Sequence, residues 1–243
     1  MLIITATNIL TIITIKTAMN SSSSATLRLW QLISPALPIG AFAYSQGLEY
    51  AVEESWVNNE ETAAQWITGL INNSLSALDV PILSRLNNAW MTNDMEKVIY
   101  WNNYLQASRE SRELLMEDRQ IGSALKQLLC DLELEQAKQW PKSGQPSFAT
   151  MFALAASHWQ VSLNETCQGF LWSWSENQVA AAIKLIPLGQ TAGQRILSRI
   201  IDEIPQAVER GLRLTDEEIG MTAHGLGIAS ALHETQYTRL FRS

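Results

Sequence analysis

Apolar residues three and four positions apart recur along this chain from Trp30 onward, and almost no stretch alternates with the period of two that a strand requires. In NNEETAAQWITGLINNSLSAL the residues Ala63, Trp66, Ile67, Leu70, Ile71, Ser74, Leu75 and Leu78 form one such stripe. A stripe of this kind is buried most readily against other helices. The expected fold is therefore all-α, a single compact bundle of about nine or ten helices with no significant sheet.

Local signals mark the pieces. Asn58 with Glu61 three residues on predicts one helix start, Asp79 with Pro81 in the first turn a second, and Asn93 with Glu96 a third, the last with Met95, Val98, Ile99 and Leu105 as its apolar side. The segment ASRESRELLMEDRQIGSALKQLL reads as one long amphipathic helix, with Leu114, Leu115, Ile121, Leu125 and Leu128 opposite mixed charges. KQWPKSGQPS breaks the periodicity through Pro141, Gly144 and Pro146. FATMFALAASHW then forms a helix, and residues 161–205 read as two long ones. Ser162 and Glu165 box the first of these, and its inward stripe is Leu163, Cys167, Phe170, Leu171 and Trp174.

A net charge of −7 over 243 residues argues against nucleic-acid binding, which needs a basic face. Charged residues make up 17% of the chain against roughly 25% for an ordinary domain, and nine tryptophans accompany them. Either part of the surface is covered by partners or the core is large. Two distant cysteines, Cys130 and Cys167, give no disulfide framework and fit a reducing cytoplasm. Residues 1–25 are expected to be a loose or mis-annotated leader before a helical domain over 26–243, with Met19 as an alternative start. The leader's only charge, Lys16, follows its apolar part, which is the wrong order for a secretory signal. Five threonines and Asn8 interrupt it, so it falls short of the ~20 apolar residues of a membrane span.

Catalytic signatures are missing. No Gly–Lys pair exists for a phosphate loop, no GxSxG for a nucleophile elbow, and ALHETQY lacks the second histidine of a zinc helix. Three histidines and two scattered cysteines supply few ligands for a borderline metal. His158 is expected to be a core or helix-capping residue, and the carboxylates are expected to be solvated or capping.

Three stretches remain. In PALPIGAFAYSQGLE, Pro35 and Pro38 rigidify the approach, Gly40 relieves the backbone, and a helix follows with Phe42, Tyr44, Ser45, Gln46 and Glu49 in its early turns. In IKLIPLGQTAGQR, Pro187 must end or kink a helix, and Gly189 with Gly193 leaves a smooth strip for a close neighbour, either within the chain or on a second subunit. The end, GIASALHETQYTRLFRS, interleaves Tyr237, Leu240 and Phe241 with Arg239 and Arg242. That composition suits an interface, or else a terminus folded onto its own bundle.

Taken together and in this order, LISPALPIGAFAYSQGLE, SRESRELLMEDRQIG, AAIKLIPLGQTAGQR and ASALHETQYTRLFRS resemble the UreF family of urease accessory proteins over residues 27–243. The resemblance implies a cytoplasmic, non-catalytic, homodimeric chaperone. It would bind a UreD (UreH) scaffold, recruit the GTPase UreG and dock on apo-urease, so that the complex delivers nickel. Nickel and GTP would then be handled by the complex, with no cofactor on this chain. Carried over residue by residue, the partner-binding set is Gly40, Phe42, Tyr44, Ser45, Gln46, Glu49, Pro187, Gly189, Gln190, Gln194, His233, Glu234, Tyr237, Arg239, Leu240, Phe241 and Arg242. Arg109, Glu110, Arg112 and Gln120 match a motif without an assigned role. Many members carry Asp where Ala192 stands, so no charged role transfers there. The alternative function is regulation of the GTPase by an arginine supplied in trans.

Overall fold

The computed structural model describes residues 23–220 and 223–243, so the alternative start at Met19 and most of the leader lie outside the described residues. Eleven α-helical segments occur there, and no strand is found among the described residues. In chain order they are α1 over 23–33, α2 Leu48–Glu53, α3 Glu60–Leu70, α4 Asp79–Met91, α5 Met95–Ala107, α6 Arg112–Asp131, α7 Glu135–Lys138, α8 Phe148–His158, α9 Leu163–Leu185, α10 Gln190–Arg213 and α11 His224–His233.

α4 and α8 form the centre. Both are buried on most sides: α8, apolar over nearly its whole length, buries every residue from Ala149 to Ala156, and α4 buries Val80, Ile82, Leu83, Leu86 and Trp90 together with the polar Asp79 and Asn87. A helix without a polar face has to be enclosed. The others enclose them: α5 and α10 pack on α4, α6 on α8, and α9 lies against α10. Small residues set some of these distances. A Cβ on Gly193 would lie 2.4 Å from Ile183 Cδ1, so the close neighbour expected near Gly193 is α9 of the same chain, whereas Gly189 is open to solvent.

Several expected boundaries move. Asn59, not Asn58, caps α3, in a capping box with Thr62, and Asp94, not Asn93, caps α5 through Lys97 N–H. The stripe expected to run unbroken to Leu78 widens into a π turn at Ile71–Leu75. Short polar side chains compete for backbone groups there: Asn73 donates to the Gly69 carbonyl and Ser76 to that of Asn72. Ser111 separates α6 from α5 by capping Leu114 N–H, so the mixed-charge segment is not one helix from Ala107. α10 continues through Pro205 to Arg213 instead of stopping at the proline. Pro205 and Ile201 both face solvent, so the carbonyl that loses its helical donor can bond to water. His158 is the exposed last residue of α8, at its C-terminal end and outside the core.

Candidate docking surface

The helix expected directly after Gly40 begins only at Leu48: residues 41–43 make a single 3-10 turn and 44–47 a further turn, so of Phe42, Tyr44, Ser45, Gln46 and Glu49 only Glu49 lies in α2. Gly40, Gln46 and Gly47 all have left-handed backbone, at φ 77°, 54° and 76°. Glycine adopts this freely, but a glutamine there is strained and must be held. Gln46 is held from both ends of its amide: Trp174 Nε1–H donates to Oε1 at 2.7 Å, and Nε2–H donates to Glu117 Oε1 at 2.7 Å. Tyr44 donates its hydroxyl to Gln120, and its carbonyl accepts from Asn177 at 3.1 Å. The turn therefore presents the N–H groups of Ser45 and Gln46 outward in a fixed geometry.

The end of the chain fills that geometry. Ser243 O accepts from Ser45 N at 2.6 Å, Gln46 N at 3.0 Å and Ser45 Oγ at 2.7 Å, while Arg242 N–H donates to the Ala43 carbonyl at 2.9 Å. Glu49 accepts the N–H groups of Leu240 at 2.6 Å and Phe241 at 2.9 Å. His233, fully buried, bridges Glu49 at 3.1 Å and Glu113 at 2.7 Å, and Arg239 reaches the other Glu113 oxygen at 2.7 Å. The Phe241 ring is buried with the Lys184 ammonium 5.5 Å from its centroid. Burying one such ring contributes about 2–3 kcal/mol and each hydrogen bond about 1 kcal/mol. Ordering the segment costs roughly 1–2 kcal/mol per residue, so the attachment is marginal.

The three stretches singled out in the sequence thus meet at one end of the bundle, but the side chains divide. Tyr44, Ser45, Glu49, His233 and Phe241 are buried and hold the assembly together. Phe42, Tyr237 and Leu240 are exposed apolar groups, with Glu234, Arg239 and Arg242 exposed among them. The main-chain bond between Arg242 and Ala43 puts Phe42 beside this end, and Phe42 also lines a groove of about 250 Å³ with Pro35, Leu37, Gln190 and Gln194. Gly40 is half-buried; Pro187 and Gly189 are exposed where α9 gives way to α10.

The residues without an assigned role separate as well. Arg109 is inside, forked onto Asp79 at 2.8 Å and bonded to Asp118 at 3.3 Å. Burial works to lower its pKa, but the two carboxylates outweigh it and hold the value above the ordinary one. Glu110 shares with it a small cavity of about 90 Å³, and burial raises its pKa. Arg112 and Gln120 are exposed.

Sequence reasoning missed Glu113, Glu117, Asp79 and Asp118, because carboxylates on mixed-charge faces were expected to be solvated. Glu117 and Asp118 are buried instead. The available signal was their spacing: Glu113, Glu117 and Gln120 fall four and three apart on the α6 face that meets the turn and the tail. Burial pushes Glu117 up to about 7, although Ser243 Oγ at 2.6 Å and Gln46 pull it down. A carboxyl whose folded value exceeds its unfolded value of 4.5 stabilises the fold fully below pH 4.5, and that contribution disappears as pH rises through 7. Glu117→Gln keeps both hydrogen bonds possible and is expected to gain about 2 kcal/mol at pH 8 and nothing at pH 4.5. Urea midpoints across that range test this; parallel pH profiles for the two proteins would refute it.

Among the described residues no group of His, Cys, Asp and Glu is arranged to hold a metal ion, and no helix is long and apolar enough to cross a membrane. Both cysteines are free, and burial pushes the Cys167 thiol up to about 12.

Comparison with known proteins extends over most of the chain. The UreF family model matches residues 57–201. A urease accessory protein UreF of Alkalilimnicola ehrlichii is 50% identical over 216 residues, covering 89% of this chain and 95% of its own. UreF proteins of Teredinibacter turnerae and Psychrobacter cryohalolentis are 48% and 47% identical, over 89% and 91% of this chain and 98% and 96% of theirs. With a helical bundle whose matched span carries its central helices and an identity this high along nearly its whole length, the chain belongs to the UreF family of urease accessory proteins.

Proposed function

We propose that this protein is a cytoplasmic, homodimeric scaffold of the UreD(UreH)–UreF–UreG complex, which delivers nickel to apo-urease while UreG hydrolyses GTP. Nickel is cargo of the complex on this reading, and the chain contributes shape. The observation that carries it is that Phe42 on the turn and Tyr237, Leu240, Arg239 and Arg242 on the chain end docked against it are exposed, while Glu49 holds the main chain of Leu240 and Phe241. Exposed aromatic and arginine side chains are the groups that carry most binding energy in interfaces.

The test is co-purification with the UreD scaffold. Tyr237→Ala with Leu240→Ala removes two exposed side chains and no tail hydrogen bond, so the circular dichroism should be unchanged. The expected loss of affinity is about 30-fold or more, the usual range for central anchors. Wild-type recovery of the partner by the double variant would reject this surface.

A second reading, an arginine acting in trans on the GTPase, is favoured at two positions only. Arg109 is locked between carboxylates and Arg239 is engaged by Glu113, whereas Arg112 and Arg242 are exposed with no side-chain hydrogen bond or ion pair to any described residue. GTP turnover by assembled complexes carrying Arg112→Ala or Arg242→Ala separates the two. Lost turnover with intact assembly supports regulation; lost assembly supports the scaffold.

A further inference from the structure

We propose that the cleft formed by the residue 41–47 turn, α2 and α6 is a peptide-recognition site that reads main chain. Here it is filled in cis by residues 240–243, and it can take the same segment from a second copy of this chain. The recognition is chiefly of backbone. One carboxylate, Glu49, accepts two successive N–H groups, the Ala43 carbonyl accepts the third, and the Ser45–Gln46 turn donates to the main-chain oxygen of Ser243. The side chains of Leu240 and Arg242 point to solvent and take no part in it. Only two side chains are read: Phe241, enclosed beside Lys184, and Ser243, whose hydroxyl donates to Glu117. The ligand class is therefore a short segment, bent at positions 240 and 241, with an aromatic residue and, two positions later, a small hydroxyl residue.

The site does not depend on its occupant for its shape. Gln46 is clamped by Trp174 and Glu117, Tyr44 by Gln120 and Asn177, and Glu49 by His233, which Glu113 orients in turn. The segment linking α11 to the occupant, residues 234–239, is exposed except for half-buried Gln236; among the described residues its side-chain bonds to the helices are Thr235 to the adjoining Leu232 carbonyl of α11 and Arg239 to Glu113. A preformed receptor, a short ligand and an exposed connecting segment are the ingredients of segment exchange between identical chains. In the isolated protein the tethered copy competes at a high effective concentration, so the site is masked until the tether is weakened.

The test uses full-length chains and a fluorescent peptide of residues 234–243. Leu240→Pro removes the N–H that Glu49 accepts and alters a side chain that is solvent-exposed, so the bundle should fold. Its affinity for the peptide should exceed that of wild type by about tenfold or more, because a larger fraction of sites stands open. Phe241→Ala should do the same by a different route. Adding Glu49→Gln to Leu240→Pro, or Phe→Ala at the matching position of the peptide, should abolish the gain. Immobilised Leu240→Pro chain should also retain a full-length Glu49→Gln chain, whose own site is impaired, and free peptide should release it. Equal peptide binding by wild type and both unmasked variants would overturn the recognition site, as would no binding to either. Retention that the peptide cannot reverse would overturn exchange between copies. None of these measurements involves another urease accessory protein, so their failure is distinct from failure of the scaffold reading.

Discussion

Replacing Arg109 with alanine is expected to cost the fold about 3–5 kcal/mol, enough to leave much of the protein unfolded at ordinary temperatures. The reason is what it leaves behind. Asp79 is buried with its carboxylate forked by the guanidinium at 2.8 Å, and Asp118 is buried between Arg109 and the N–H of Phe148 at 2.8 Å. Burial already raises the Asp118 pKa against the pull of Arg109. Without the cation two carboxyls share a low-dielectric site and must take up protons or bring in water. Arg109→Lys should recover part of the loss, since an ammonium keeps the charge but cannot bond both carboxylates in the same fork. Urea denaturation followed by tryptophan fluorescence measures both. An Arg109→Ala protein within 1 kcal/mol of wild type would show that the cluster contributes little. A loss of function in that variant would accordingly be a folding effect, because this guanidinium is held between Asp79 and Asp118.

Gly122→Ala is the second large effect, expected at about 3 kcal/mol or more. A Cβ at this position would lie 2.2 Å from the Pro146 carbonyl oxygen, 2.6 Å from Ser147 C and 2.8 Å from Phe148 N. All three are backbone atoms, so no rotamer change relieves the clash and α6 must move off the start of α8. That movement would also strain the Asp118–Phe148 bond and the Ser147 cap of α8. Gly144→Ala is the control. It lies in the connection before α8 that Gly122 approaches, is exposed, and its Cβ would meet nothing nearer than Trp140 Nε1 at 3.8 Å, so its stability should stay within about 0.5 kcal/mol of wild type. Similar urea midpoints for the two variants would contradict the close-approach account.

How much could be read in advance differs between elements for physical reasons. The Ser162–Glu165 box stands where expected, because its hydrogen bonds close within one turn and need nothing from the rest of the chain. The start of α4 with Pro81 in its first turn and the end of α9 before Pro187 are likewise local, set by sterics and a missing N–H. Pro205 obeys the same local chemistry, yet α10 passes through it. Whether a freed carbonyl is a loss depends on whether it meets water, which is a property of the packed molecule.

The docking surface shows the same division. The sequence by itself determined the all-helical class, some helix ends such as the starts of α4 and α9, and the three stretches that converge, since periodicity, caps and proline are written in neighbouring residues. Family membership also rests on the order of those residues. Tertiary structure alone decided which members of each stretch are displayed and which are enclosed: Phe42 outside and Tyr44 inside, Tyr237 outside and Phe241 inside. It also brought Glu49 to His233 across 184 positions and Glu117 to Ser243 across 126. Burial and long-range pairing are set by the sum of many helix contacts, so no window of sequence carries them.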